Sequence, residues 1–565
     1  MNTGKTVDRR SRVLELCDDE STKYAILSHR WVDPTEVDYE EMVDLAKMNV
    51  EERKDIRQRL GYKKILNTCE QAQRDGYEWA WVDTCCIDKR SSAELSEAIN
   101  SMYRWYANSK VCYGYLHDVQ GFSFPTEDDD DLYPQSNGWP EWFSRGWTLQ
   151  EMIAPSNVQF FNKDWKPIGD KKALARTLEE ITQVPEHILK QGLFGNRPCV
   201  AQIISWAASR KTTRVEDRAY SLMGLLDVHM PMLYGEGKKA FHRLQLEIIR
   251  SSNDQSIFAW GWIDDVRLGS ILADDPSFFK SCSHLELLHY NEFIHSVKEI
   301  APNAELPFID LDCVGVFPIT NRGIHMWMVL RPYRDSDSIF EAFLPCRNEF
   351  GSLVTIGLAS WDSNCYRYPE VPASYLEGSL QFRQVYLRYQ DIPCNITFEV
   401  DDSGITENGF ICSEVSPSEH RGNTPTLTAT SPVCIRTYSE CQGNGHFAMA
   451  FGQCFGQDWI HMINTPPRKI PQKQLVTEGL DRSQAMADMY SRDDCRRSMS
   501  THYIRLPGSN WIVRTCRFVW ERWRIKIRME AFRCSHFRND LDEWKTFAVE
   551  ASDFFVVDMG YHDHS

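Results

Sequence analysis

The sequence contains no run approaching the roughly 18 consecutive apolar residues that cross a bilayer. Its first stretch, MNTGKTVDRRSRVLELCDDE, is polar and charged and has no apolar signal core. These two absences predict a soluble protein working in the cytoplasm, with no membrane span. There is no HExxH and no pair of CxxC motifs. A structural or catalytic zinc site is therefore not expected, and no metal ligands are assigned. An excess of basic charge is also missing. The formal net charge is −17, which excludes a general binder of nucleic acid or anionic membrane, because neither surface attracts a broadly acidic protein. No internal repeat period is evident.

What is present is an ordinary globular composition over 565 residues, 42% hydrophobic and 25% charged. At roughly 150 residues per domain this length suggests three or four domains. Aromatic residues reach 12%, including 18 Trp. The 18 cysteines are scattered, and many sit in apolar runs, among them Cys85, Cys86, Cys112, Cys313 and Cys412. In a reducing compartment these are expected to be mostly buried thiols.

The order of elements is informative in the first third. Residues 24–28, YAILS, form an apolar run ending at Ser28-His29-Arg30-Trp31, and Pro34 stops an ordinary strand. Charged residues 37–60 read as loop with helix. In GYKKILNTCEQAQRDG, Ile65, Cys69 and Ala72 recur at helical spacing and Gly76 supplies a stop. YEWAWVDTCCI (77–87) reads as a second strand, ending at Asp88-Lys89-Arg90. Ser91 and Glu94 fit a capping box, followed by a helix with Leu95, Ile99, Met102 and Tyr106 on one stripe. VCYGYL (111–116) is a third strand. Strand, helix, strand, helix, strand over about 95 residues implies a parallel sheet with crossover helices. The carboxyl ends of such strands are where these sheets bind ligands. That places Ser28, His29, Arg30, Asp83 and Asp88 near one rim.

Residues 165–262 read as mainly helical. From about 300, runs such as GIHMWMVLRPY, SLVTIGLASW and SLQFRQVYLRY alternate between turn residues, the signature of an antiparallel sandwich or barrel. The polar stretches 413–432 and 464–483 are expected to be loops or insertions. Gly235-Glu236-Gly237 lacks the spacing of a phosphate loop. Arg214, Asp217 and Arg218 suggest an internal salt-bridge network.

FSRGWTLQEMIAP carries the most chemistry. If helical, it puts Glu151 on the face of Trp147, four residues earlier. A carboxylate beside an aromatic wall has the parts of a tuned acid or nucleophile. The alternative is a helix start with Trp147 in the core and Glu151 in a salt bridge.

Four ordered motifs, YAILSHRW (24–31), WAWVDTCCIDKR (79–90), INSMYRWYANSKVCYGYL (99–116) and RGWTLQEMIAP (145–155), together resemble the HET domain of fungal heterokaryon-incompatibility proteins. TRVEDRAYSLMGLL and YGEGKKAFHRLQLEIIRSSNDQSIFAW resemble the helical extension of many such proteins. HET domains are similar to TIR domains. The resemblance implies an α/β N-terminal domain with a TIR-like, flavodoxin-like parallel sheet, a helical extension, and then a β-rich C-terminal domain. The implied divisions are a tail at 1–20, the HET domain at 21–165, the extension at 166–264 and the β-rich part at 265–565. The acidic loop around 127–131 is longer than the corresponding TIR connection.

In TIR enzymes a glutamate four residues after a Trp cleaves the nicotinamide–ribose bond of NAD. The resemblance therefore implies Glu151 as catalytic carboxylate and NAD, or a related nucleotide, as substrate, with no cofactor required. Loss of cationic nicotinamide leaves an oxocarbenium-like sugar, which a carboxylate can stabilise or capture. Trp31 or Trp147 could form an apolar wall, core packing being the other reading. Arg30 and Arg145 could hold the pyrophosphate, or form structural ion pairs. His29, Asp83 and Asp88 complete the expected binding set with Ser28. Cell death on non-self recognition is the implied role, with a homo-oligomer on activation and a protein or ligand trigger acting through the C-terminal region. A non-enzymatic assembly module and an ADP-ribose cyclase or transferase are the alternatives.

Overall fold

The computed structural model describes residues 14–32, 34–45, 47–48, 50–193, 195, 197–261, 269–302, 316–333, 336–361, 364–368, 379–390, 395–416, 418–428, 433–442, 445–454, 457–463, 503–506, 511–521 and 524–533. They fall into two compact units that divide between 391 and 392.

The first unit begins with strand β1, Tyr24–His29, whose six residues are all buried. It lies between β2, Trp79–Trp81, and β3, Val111–Tyr115, parallel to both. Strand β4, Val158–Phe161, continues the parallel order beside β3, and β5, Pro167–Asp170, closes the edge in the antiparallel sense. The sheet order is β2-β1-β3-β4-β5. An α/β region with a parallel-containing sheet is thus what the alternating motifs encode.

The run YAIL has no polar alternation because both faces of β1 are covered. Tyr24 and Ile26 enter the core shared with Ile99, Met102 and Tyr106 of helix α5, Ser92–Asn108. Ala25 and Leu27 enter a second core with Tyr62, Ile65 and Ala72 of helix α3, Leu60–Arg74. Each fully buried aliphatic side chain here contributes about 1.5–3 kcal/mol. Two short helices, α1 (Tyr39–Leu45) and α2 (Val50–Gln58), fill the charged stretch before α3. Helix α5 starts where expected: the Ser91 hydroxyl accepts from the Glu94 amide at 3.3 Å. The Glu94 carboxylate reaches the Asp88 amide at 2.9 Å instead of returning to Ser91.

The second strand is shorter than the apolar run 77–87. Only Trp79–Trp81 pairs with β1, and helix α4, Asp83–Cys86, begins at once. The Cys86 amide bonds the Val82 carbonyl at 2.9 Å, so the run turns instead of extending. Cys85 and Cys112 are buried and Cys86 is half-buried, but Cys412 is exposed, against expectation. Cys412 lies on Phe410–Ser416, an edge strand of the second unit. Cys313 lies outside the described residues.

Helix α6, Thr148–Ile153, with all six residues buried, crosses from β3 back to β4. Helices α7 (Ala175–Thr182), α8 (Glu186–Gln191), α9 (Val200–Ser205), α10 (Asp217–Tyr220), α11 (Met223–Leu226) and α12 (Lys239–Ser251) follow, then β6, Glu286–Leu287, and α13, Tyr290–Ile300. Strands β7 (Ile324–Tyr333), β8 (Ser336–Arg347), β9 (Leu353–Trp361), β10 (Asn364–Tyr368) and β11 (Gln381–Leu387) complete the unit. Because β8 pairs with both β7 and β9, and β11 with both β7 and β10, these five pairings return on themselves.

The second unit is β-rich, with sheets of five and four strands. Its own core holds Phe398, Phe410, Phe447 and Met449. The stretch 413–432 is not all loop. Residues Phe410–Ser416 and Thr426–Thr428 are strands, and Phe410 and Leu427 anchor them in that core. The expected loop at 464–483 lies outside the described residues, as do 1–13 of the expected tail. Among the described residues no helix is long and apolar enough to cross a membrane.

Candidate functional site

The C-terminal end of β1 and the buried helix α6 meet at one contact. The Ser28 hydroxyl donates to Glu151 Oε2 at 2.5 Å and accepts from the Trp142 indole N–H at 2.9 Å. Glu151 is only 5% exposed. Burial raises its pKa to about 8, and the charge of Asp83 adds to that rise. The Ser28 hydrogen bond, Arg145 and Arg210 act in the opposite direction without reversing it. The carboxyl is therefore poised to change protonation state near neutral pH, the property a general acid or base needs. The Tyr106 hydroxyl, also buried, donates to the Leu27 carbonyl, next to Ser28 in β1, at 2.9 Å.

Helix α6 is held at both ends. At its start, the Thr148 hydroxyl donates to the Trp142 carbonyl at 2.6 Å, and Arg145 bonds the His29 carbonyl at 3.1 Å. At its end the Lys171 ammonium, 1% exposed, donates to the carbonyls of Met152 at 3.0 Å and Ile153 at 3.3 Å, and to that of Pro155. Those carbonyls are the unpaired acceptors of a helix C-terminus, which a cation satisfies. Burial lowers the Lys171 pKa to about 8.

Beside Ser28 lies a second charged group. His29 is buried, with Nε2 3.7 Å from Glu36 and Nδ1 3.7 Å from Asp83. Burial, with help from Lys64, lowers its pKa despite the two carboxylates. Glu36 also pairs with buried Lys64. Its own burial would raise its pKa, but His29 and Lys64 outweigh that and hold it at about 2. Asp83 accepts from the Trp31 indole at 2.8 Å. Trp31 is 40% exposed and carries the Lys89 ammonium 3.6 Å from its ring centre, a cation–π contact at the outer edge of the group.

Ser28, His29, Trp31, Asp83, Arg145 and Glu151 are thus joined by direct contacts or by one shared partner. Arg30 instead pairs with Glu141, and Asp88 takes Arg90, which also holds Glu40. Trp147 turns its indole to Asp217 of α10. The indole bonded into the Glu151 group belongs to Trp142. Its signal in the sequence was the aromatic density of GWPEWFSRG. Glu36, Lys64 and Lys171 gave no signal, and Arg210 only its place in a basic turn.

His117, Asp118 and Glu141 each bring one ligand-type atom within 4.8 Å of the others. The Arg30 guanidinium already sits on Glu141 Oε2 and supplies positive charge there. Arg218 pairs with Asp275 at 2.7 Å, Asp217 accepts from Tyr234 at 3.0 Å, and Arg214 stacks over Tyr234. These form a partly aromatic structural cluster.

Residues 24–131 match the family model described as heterokaryon incompatibility protein (HET), and residues 239–268 match a domain of unknown function (DUF8212). The vegetative incompatibility protein HET-E-1 of Podospora anserina is 45% identical over 231 residues, which cover 40% of this chain and 16% of that protein. The chain therefore spans only a small part of that relative's length. No solved structure matches. The HET match includes Ser28, His29, Arg30, Trp31, Asp83 and Asp88 and stops before Arg145, Trp147 and Glu151.

Proposed function

From the premise that this chain carries a HET domain, we propose that it is a cell-death effector of heterokaryon incompatibility that cleaves NAD at the nicotinamide–ribose bond. The observation that carries the reading is the Glu151 carboxyl. It is buried at the carboxyl end of β1, hydrogen-bonded to Ser28, with a pKa raised to about 8. In the reaction the C–N bond breaks and its electron pair leaves with nicotinamide. Glu151, as carboxylate, stabilises the cationic ribose carbon, and attacking water gives up a proton to it. Ser28 orients the carboxyl, and Trp31 and Arg145 bind the nucleotide. Arg30, His29, Asp83, Asp88 and Trp147 remain in the proposed binding set through the TIR-like reading.

The sheet order β2-β1-β3-β4-β5 supports a TIR-like, flavodoxin-like arrangement. The antiparallel β5 is a departure from it. The pairing of β7 to β11 supports a barrel for that part of the β-rich region. Homo-oligomerisation on activation, a cytoplasmic location and a trigger acting through the C-terminal region belong to the same proposal. So do the divisions at 20, 165 and 264.

Full-length protein incubated with NAD, beside Glu151→Gln, tests the reading. Release of nicotinamide that disappears in the folded variant supports it, and the ADP-ribose product separates hydrolysis from cyclisation or transfer. Equal release in the variant removes Glu151 from the chemistry. A second reading, a non-enzymatic assembly module, is favoured by the 5% exposure of Glu151. It predicts toxicity that survives Glu151→Gln.

A further inference from the structure

We propose that Arg210 is a positioning residue for the Glu151 carboxylate, so that the site is completed by a segment beyond residues 24–131. The inference rests on Glu151 being the working carboxyl of the proposed function.

Arg210 follows α9 and is 4% exposed. Its Nε donates to the Trp206 carbonyl at 3.3 Å. One terminal nitrogen donates to the Arg145 carbonyl at 2.8 Å and to the Thr148 hydroxyl at 3.0 Å. The other terminal nitrogen, Nη2, is buried with no hydrogen-bond partner. Among the described residues Arg210 has no ion pair. A buried guanidinium with an unused donor and no paired carboxylate is costly and calls for a compensating anion. The anion that it feels is Glu151.

The segment is fixed for this purpose. The Lys211 amide bonds the Ser144 carbonyl at 2.6 Å, and the Gly146 amide bonds the Lys211 carbonyl at 2.9 Å. Glycine at 146 leaves room for this strand-like exchange, since a Cβ there would lie 2.6 Å from Thr212 Cγ2. Residues 144–146 lead directly into α6. Thr148, bonded by Arg210, stands one helical turn before Glu151 on the same face. Through Thr148 to the Trp142 carbonyl, and from the Trp142 indole through Ser28, the same network reaches the carboxyl.

While Glu151 is protonated, Arg210 makes only the neutral contacts just given. Once Glu151 ionises, the buried Arg210 guanidinium, held at the start of α6 through Arg145 and Thr148, supplies positive charge that favours the ionised carboxyl. The other ionisable groups acting on Glu151 are Asp83 from α4 and Arg145 ahead of α6. Tyr106 of α5 and Cys112 of β3 also sense its charge, and burial keeps both neutral.

The test is the titration of Glu151 itself. Its protonated-carboxyl stretch is isolated in full-length protein as the infrared difference between wild type and Glu151→Gln across pH. The titration is then repeated in Arg210→Met and Arg210→Gln, each against its own double variant with Glu151→Gln. Loss of this buried positive charge should raise the midpoint by about one pH unit or more. Arg210→Gln keeps N–H donors for Arg145 and Thr148, so it serves if the Met variant does not fold. An unchanged midpoint in a folded variant overturns the proposal. NAD cleavage is followed in parallel. A raised midpoint in a protein that never cleaves NAD supports the role of Arg210 while removing the enzymatic reading.

Discussion

The Ser28 hydroxyl donates to Glu151 Oε2 across 2.5 Å, although the two residues are 123 positions apart. The bond ties the end of β1 to the middle of α6 and, among the described residues, gives the desolvated carboxyl its hydrogen-bond partner. Most of what this site can do follows from that pairing and from the raised pKa beside it.

Glu151→Gln keeps the shape and the acceptor for Ser28 but cannot ionise. NAD cleavage should fall by about 10²–10⁴-fold, the range expected when a positioned acid–base group is lost. Chromatography of nicotinamide release checks this, with circular dichroism to verify folding.

The same substitution should make stability less sensitive to pH. Glu151 has a folded pKa of about 8 against an ordinary 4.5. A raised carboxyl pKa contributes stability that is complete below the unfolded value and is lost as pH rises through the folded one. Between pH 5 and 8 the wild type should therefore weaken relative to Glu151→Gln. Because a tenfold change in proton affinity corresponds to about 1.4 kcal/mol, the difference is on the order of 3 kcal/mol at pH 8. Urea denaturation of both proteins at several pH values measures it, and parallel curves would contradict the assigned ionisation.

Ser28→Ala removes a donor from Glu151 and strands the buried Trp142 indole N–H. A loss of about 1–3 kcal/mol in denaturation is expected. Because the Ser28 bond pulls the Glu151 pKa down, its removal should also shift the pH–rate profile to higher pH.

Lys171→Met leaves the carbonyls at the end of α6 without their shared donor. A cost of about 1–3 kcal/mol is expected, together with faster amide exchange over residues 148–155. Exchange measured by mass spectrometry would show whether the effect is confined to that helix.

Gly146→Ala places a methyl group 2.6 Å from Thr212 Cγ2, so the Thr212 side chain or the segment behind it must shift. Overpacking of this kind costs about 1–3 kcal/mol, readable as a lowered thermal midpoint.

The sequence by itself determined several of the regular elements. The unbroken apolar run of β1, the helical spacing of Ile65 and Ala72, and the Ser91 cap before α5 are written in adjacent residues, because periodicity and capping are matters of local geometry. The rim holding Ser28, His29 and Asp83 also followed, since a parallel sheet brings its strand ends together. Tertiary structure decided what those groups meet. That Trp142 and not Trp147 reaches Ser28, that Arg30 is taken by Glu141, and that YEWAWVDTCCI stops pairing after Trp81 depends on partners dozens of residues away. Whether Glu151 is charged depends on burial and on Asp83, Arg145 and Arg210 arriving from other segments. Desolvation and Coulomb forces act through space, so only the folded chain fixes them.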